Sequence, residues 1–255
     1  MKHIYLNLKR FDIPVQFHGI NRIAPMIDWA RAIIRGTDNG LKKYRDNDVD
    51  FTMFFPEAHM IGAAAARSED SLIRVGSQGV YRYDTAEGGN FGAFTTNLTA
   101  NAVRSMGCES AIIGHCEERR DKLEVLNAGG VNDTSVVNKL LNSSVKRAVE
   151  AGLDVLYCIG EKAEEQAGWK DVLSDQIRIG LEGVDTANVV LAYEPVWAIG
   201  PGKTPPDRNY IRKIAEFVKE VSGGLDVVYG GGLKVDNAEM LASIDEIDGG
   251  LIALT

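Results

Sequence analysis

Residues 188–206 read NVVLAYEPVWAIGPGKTPP, and this stretch decides the fold. It starts with a short apolar run, 188–193, that does not alternate with polar residues, as expected of a strand buried on both faces. The run ends at Glu194 and Pro195. Two apolar side chains suited to covering a cavity follow, Val196 and Trp197. Glycines then stand at 200 and 202 and prolines at 201, 205 and 206. A carboxylate at a strand end, followed by a segment hinged on glycine and stiffened by proline, is the composition of a rigid loop over a site.

The same unit recurs in both directions along the chain. Strands are expected at residues 3–8, 50–55, 72–76, 110–114, 154–159, 188–193, 226–229 and 251–253. Helical patterns fall between them, at 23–34, 61–66, 98–105, 135–151, 161–181, 209–221 and 237–243. Strict strand–helix alternation implies parallel strands covered by helices. Eight units in 255 residues predict an α/β chain of the closed (β/α)8 TIM barrel class, a single domain over residues 1–255. No helical pattern follows the eighth strand, so the expectation is either a shortened chain or another cover for that face.

Composition narrows the function. Hydrophobic residues make up 45% and charged residues 25%, ordinary values for a globular protein, and the net charge is −8. An acidic chain is a poor general binder of nucleic acid, although a local basic site for an anionic substrate remains open. No apolar run approaches the roughly 18 residues that would cross a membrane. The first residues, MKHIYLNLK, are too short in apolar character for a signal peptide, so a cytoplasmic protein is expected. Cys108, Cys116 and Cys158 show no Cys-x-x-Cys spacing and are odd in number, and all three are read as reduced.

In a parallel barrel the chemistry gathers at the C-terminal strand ends. Strand one ends in Asn7 and Lys9, strand four in His115 and Glu117, strand six in Glu194, and strand seven in Gly230–Gly232. Taken singly, each has an ordinary explanation: a solvated lysine, a hydrogen-bonded histidine, a turn glutamate. Together at one mouth they form an acid–base site with its own cation. One further irregularity is the long glycine-rich loop from Gly79 to Thr96, which carries Tyr81, Tyr83 and Phe91. Loops of this length are commonly functional or interfacial.

These motifs closely resemble those of the triosephosphate isomerases. YEPVWAIGPGKT (193–204) is similar to that family's base-and-lid segment, with Pro201 in place of the usual Thr. IGHCEERR (113–120) resembles its GHSERR, CIGE (158–161) and YGG (229–231) match as they stand, and NLK (7–9) matches its Asn-x-Lys. The resemblance implies a sugar-phosphate isomerase in which Glu194 moves a proton between neighbouring carbons. His115 would polarise the carbonyl as a neutral imidazole, Lys9 would supply positive charge, and Asn7 would position substrate. Glu117 and Cys116 would stand behind these residues. A short helix beginning after Cys116 would disfavour a cation on His115. Stabilising an enediolate in a water-poor site makes a weakly acidic proton removable, so no metal or organic cofactor is needed. GAFT (92–95) resembles the family's interfacial third loop, which implies a homodimer through the loop from Gly79 to Thr96.

The sequence departs from the family in the residues that hold substrate. NWKMN becomes NLKRF (7–11). GHSERR gains a Glu and has Cys116 for Ser. GAFTGEIS becomes GAFTTNLT (92–99). The Ser after YGG is Gly232, and the Gly-Gly after strand eight falls on Ala253 and Leu254. Backbone amides at Gly200 and Gly232 still suit a phosphate. GGNFGAFTT (88–96) and GHCEERRDK (114–122) look like a branch acting on four-carbon sugars. The expected substrate is therefore a short phosphorylated ketose, with L-erythrulose 1-phosphate slightly ahead of dihydroxyacetone phosphate. A non-catalytic sugar-phosphate binder is the alternative of another class. A Schiff-base aldolase fits less well, because Lys9 lies at the rim and Lys203 in the lid.

Overall fold

Alternate residues of each strand face two different apolar layers, which explains why the strands show no polar alternation. Tyr5, Phe54, Ile112, Leu156, Cys158, Ala192, Val228 and Leu251 form one cluster. Their neighbours, among them Val75, Ile113, Tyr157, Leu191 and Tyr229, join the larger cluster shared with the helices. The computed structural model describes residues 2–200 and 202–253. Among these, eight parallel strands close into a barrel in chain order. They are β1 (Lys2–Asn7), β2 (Val49–Phe55), β3 (Ile73–Ser77), β4 (Ser110–Ile113), β5 (Asp154–Ile159), β6 (Val189–Tyr193), β7 (Val227–Tyr229) and β8 (Gly249–Ile252). The ring closes where His3 pairs with Gly249 and Leu6 with Ile252.

The expected eight strands are all present, within two residues at most ends. The helices are α1 (Trp29–Leu41), α2 (Met60–Ala66), α3 (Ala100–Ser105), α4 (Cys116–Ala128), α5 (Thr134–Glu150), α6 (Trp169–Gly180), α7 (Arg208–Ser222) and α8 (Val235–Ala242). Three differ from expectation. The helix expected over 23–34 starts only after Pro25 and a 3-10 turn at Met26–Asp28, and its buried face carries it on to Leu41. The pattern over 161–181 splits into a 3-10 segment, Ala163–Gly168, and then α6. Helix α4 runs for 13 residues, yet none of them is buried. Its apolar contacts with the core are the half-buried Leu123 and Leu126, so no apolar stripe showed how far the short helix expected after Cys116 would run.

The inward row of a strand sets what reaches the mouth. On β6 Ala192 faces inward, and Glu194 continues that row two residues beyond it. On β1 the row runs Tyr5, Asn7, Lys9. On β4 the row Ser110, Ile112 would continue at residue 114. There the backbone turns left-handed, with φ +79° at Gly114, and the next residue, His115, caps α4. Glycine suits this turn because a side chain would meet Arg119 and the Cys158 carbonyl at 3.0 Å.

The opposite mouth is lined by charge. His3 Nε2 lies 2.9 Å from Asp226 and Nδ1 3.5 Å from Asp50, while Arg74 pairs with Asp154 at 2.5 Å. Burial opposes the charge on His3, but hydrogen bonds to Asp50 and Asp226 outweigh it and raise the pKa. Charged His3 therefore adds stability that is complete below the unfolded value of about 6.5 and is lost as pH rises through the higher folded value. Melting temperature should fall as pH rises above about 6.5 in the native chain, with that component absent from His3→Gln. Equal slopes in the two proteins would exclude His3 as its source.

Candidate active site

Sidechains from β1, β4, β6, β7 and β8 line one cavity of about 680 Å3 at the C-terminal mouth. Asn7, Lys9, His115, Glu117, Glu194, Gly200, Gly232 and Ala253 all border it. Leu254, expected beside them, lies outside the described residues. Cys116 does not line this cavity. It borders a smaller one of about 190 Å3, where α4 and α5 meet the start of the lid at Val196.

Glu194 is 3% exposed, and both carboxylate oxygens are engaged. Oε1 lies 3.2 Å from His115 Nε2, and Oε2 accepts the Cys116 amide at 3.0 Å. The Glu194 amide donates to the Ile159 carbonyl at 2.8 Å, so β5 and β6 remain close just past their ends. Gly160 makes this approach possible, since a side chain there would come within 1.8 Å of the Glu194 carbonyl oxygen.

His115 caps α4. Its Nδ1 accepts the Glu117 amide at 3.3 Å, which leaves the ring hydrogen on Nε2, facing Glu194. Lys9 has a left-handed backbone, φ +40°, an uncommon state for a side-chain-bearing residue. Its amide donates to Asn7 Oδ1 at 3.0 Å, and its carbonyl accepts Gln78 Nε2 at 2.9 Å. The ammonium donates to Glu117 Oε1 at 2.9 Å. Burial alone would push the Glu117 carboxyl up, but the hydrogen bond and charge of Lys9 hold it below the usual range.

Three contributors were missed in the sequence. Glu161 is fully buried, and its Oε1 accepts from Tyr193 at 3.0 Å, Trp197 at 2.8 Å and Tyr210 at 3.2 Å. Its carbonyl also accepts the Val196 amide at 3.1 Å. The lid thus starts from a buried carboxylate, whose charge adds to burial in raising the Tyr193 pKa. Gln78 follows β3 and ties β1, β2 and β3 together through Asn7, Phe54 and Lys9. Lys234, just before α8, lines the cavity and adds a cation beside Lys9 and Lys203. A polar residue within two positions of a strand end was the available signal for Glu161 and Gln78.

The arrangement offers a carboxylate, an imidazole N–H and ammonium groups around one cavity, sufficient for proton transfer next to a developing oxyanion. Removing the Trp197 indole donor by Trp197→Phe should loosen the start of the lid. Protease cleavage within residues 196–206 should then be faster than in the native chain, and unchanged cleavage would count against the Glu161 anchor.

A family model for triosephosphate isomerase matches residues 28–255. The triosephosphate isomerase of Syntrophotalea carbinolica is 34% identical over 236 residues, which cover 88% of this chain and 85% of that protein. That of Chlorobium phaeobacteroides is 40% identical over 174 residues, covering 63% of this chain and 64% of that protein, just under two thirds of its length. The crystal structure of triosephosphate isomerase from Bartonella henselae superposes with a TM-score of 0.74 over 99% of this chain and 92% of that one. At 23% identity this likeness speaks for the fold. The chain belongs to the triosephosphate isomerase family.

Proposed function

We propose that the chain is a sugar-phosphate isomerase in which Glu194 carries a proton between adjacent carbons of a short phosphorylated ketose. The observation that carries this reading is the pairing of Glu194 with His115 Nε2 at 3.2 Å, in the cavity that Lys9 also lines. Glu194 takes the proton from the hydroxymethyl carbon beside the carbonyl. The electron pair moves into an enediolate, and the same proton, or one from solvent, returns to the neighbouring carbon. His115 Nε2–H and the Lys9 ammonium stabilise the oxygen charge as it develops. The amides around Gly200 and Gly232, with Lys203 and Lys234 nearby, suit the phosphate.

The relatives' names favour the three-carbon pair, dihydroxyacetone phosphate and glyceraldehyde 3-phosphate, over the four-carbon L-erythrulose 1-phosphate. The four-carbon reading rests on the resemblance of residues 88–96 and 114–122 to a four-carbon branch, with Gly232 and Ala253 altering the substrate-holding shell. Three thiols without disulfide partners suit a reducing cytoplasm. Glu194→Gln should lower kcat by about 10²–10⁴-fold in a coupled assay. Near-native turnover would remove Glu194 from the reaction. Dihydroxyacetone phosphate and L-erythrulose 1-phosphate, assayed side by side, separate the substrates: the higher kcat/KM is expected for the triose phosphate, and the reverse order would restore the four-carbon reading.

A homodimer is part of the same proposal. The loop from Gly79 to Thr96 is closed at its base by the Tyr81 amide on the Leu98 carbonyl, 2.7 Å, and within itself by Tyr81 against Phe94. It holds Phe91 95% exposed. A large apolar ring presented this way suits burial against a second copy. Light scattering should give twice the chain mass for the native protein and a shift toward the single-chain mass for Phe91→Asp. A monomeric native protein would contradict the assembly.

A further inference from the structure

Cys116 replaces the Ser of the family pattern beside the two groups most involved in the proposed proton transfer. His115, Cys116 and Glu194 each offer a donor atom, and these atoms lie within 4.8 Å of one another. Imidazole nitrogen, sulfur and carboxylate oxygen form the ligand set of zinc-type ions, not of magnesium or calcium. Ligands about 2.0–2.3 Å from a tetrahedral ion stand roughly 3.3–3.6 Å apart. His115 Nε2 and Glu194 Oε1 are 3.2 Å apart. Cys116 Sγ is 3.9 Å from the other ring nitrogen, Nδ1, so the sulfur must move toward Nε2 to complete the site.

The geometry points to an inhibitory site for one zinc-type divalent cation between the two cavities, held by His115 and Glu194 of the larger and Cys116 of the smaller, with water as the fourth ligand. On binding, the Cys116 thiol releases its proton to solvent. The ring proton passes from Nε2 to Nδ1, which gives up its long contact with the Glu117 amide, and Nε2 takes the ion. Thiolate and carboxylate then cancel the two positive charges of the ion. This balance matters because Glu194 is almost wholly buried and the positive end of α4 lies directly beneath. With Ser or Ala at 116 a single anion would remain, and the loaded site would stay positive. Cys108 and Cys158 are fully buried and cannot supply the sulfur.

A metal held this way occupies both the base and the electrophile, so it competes with substrate. That consequence rests on the isomerase reading, whereas binding does not. Cobalt(II) is the spectroscopic probe: one equivalent added to the metal-free protein should give the near-ultraviolet thiolate-to-cobalt band and strong visible bands of a tetrahedral ion. Both should disappear in Cys116→Ser and in Cys116→Ala. In turnover assays zinc should inhibit competitively and reversibly on addition of chelator, magnesium should not inhibit, and the inhibitory concentration should rise at least about tenfold in both variants. Cobalt bound without the thiolate band, or no cobalt bound, would overturn the site whether or not the chain turns over substrate. Equal zinc sensitivity in the variants would overturn it as well.

Discussion

The carboxylate of Glu194 is held from two directions by the first turn of one helix, and the rest of the site depends on that contact. Oε1 meets the His115 ring and Oε2 the Cys116 amide. A backbone N–H to a charged acceptor contributes on the order of 1.5–3 kcal/mol, and burying the carboxylate without it would be costly. Helix α4 must therefore begin at Cys116. The left-handed turn at Gly114 ends β4 just before it, and Gly160 lets β5 and β6 approach closely enough to set the carboxylate against it. A shift of one residue in any of these would separate the carboxylate from the imidazole.

A second buried carboxylate connects this floor to its cover. Glu161 gathers a strand tyrosine, the lid tryptophan and a tyrosine of α7 onto one oxygen. The Trp197 and Tyr210 rings meet edge to face at 5.8 Å. The start of the lid is thus fixed to the barrel and to an outer helix, while Gly202, Lys203 and Thr204 are exposed.

Much of this was legible in the sequence because strand ends in a parallel barrel are a physical address. Apolar runs at β1, β4 and β6 were each followed at once by residues rarely placed there without cause, and the structure brings Asn7, Lys9, His115 and Glu194 to one cavity. The extent of helix α4, expected only as a short helix after Cys116, was hidden, since it buries none of its residues and periodicity reports only buried faces. Glu161 and Gln78 were hidden for another reason. They act through bonds to backbone and to other side chains distant in sequence, and no local spacing records such partners.

The central claim is that a proton, not a hydride, travels between neighbouring carbons by way of Glu194. The most direct measurement is proton NMR of the reaction run in heavy water. A carboxylic acid exchanges its hydrogen with solvent during the lifetime of an enediolate, so the account predicts deuterium at the carbon that receives the proton. Product formed with its original hydrogen fully retained, or the absence of both conversion and exchange with three- and four-carbon ketose phosphates, would contradict it.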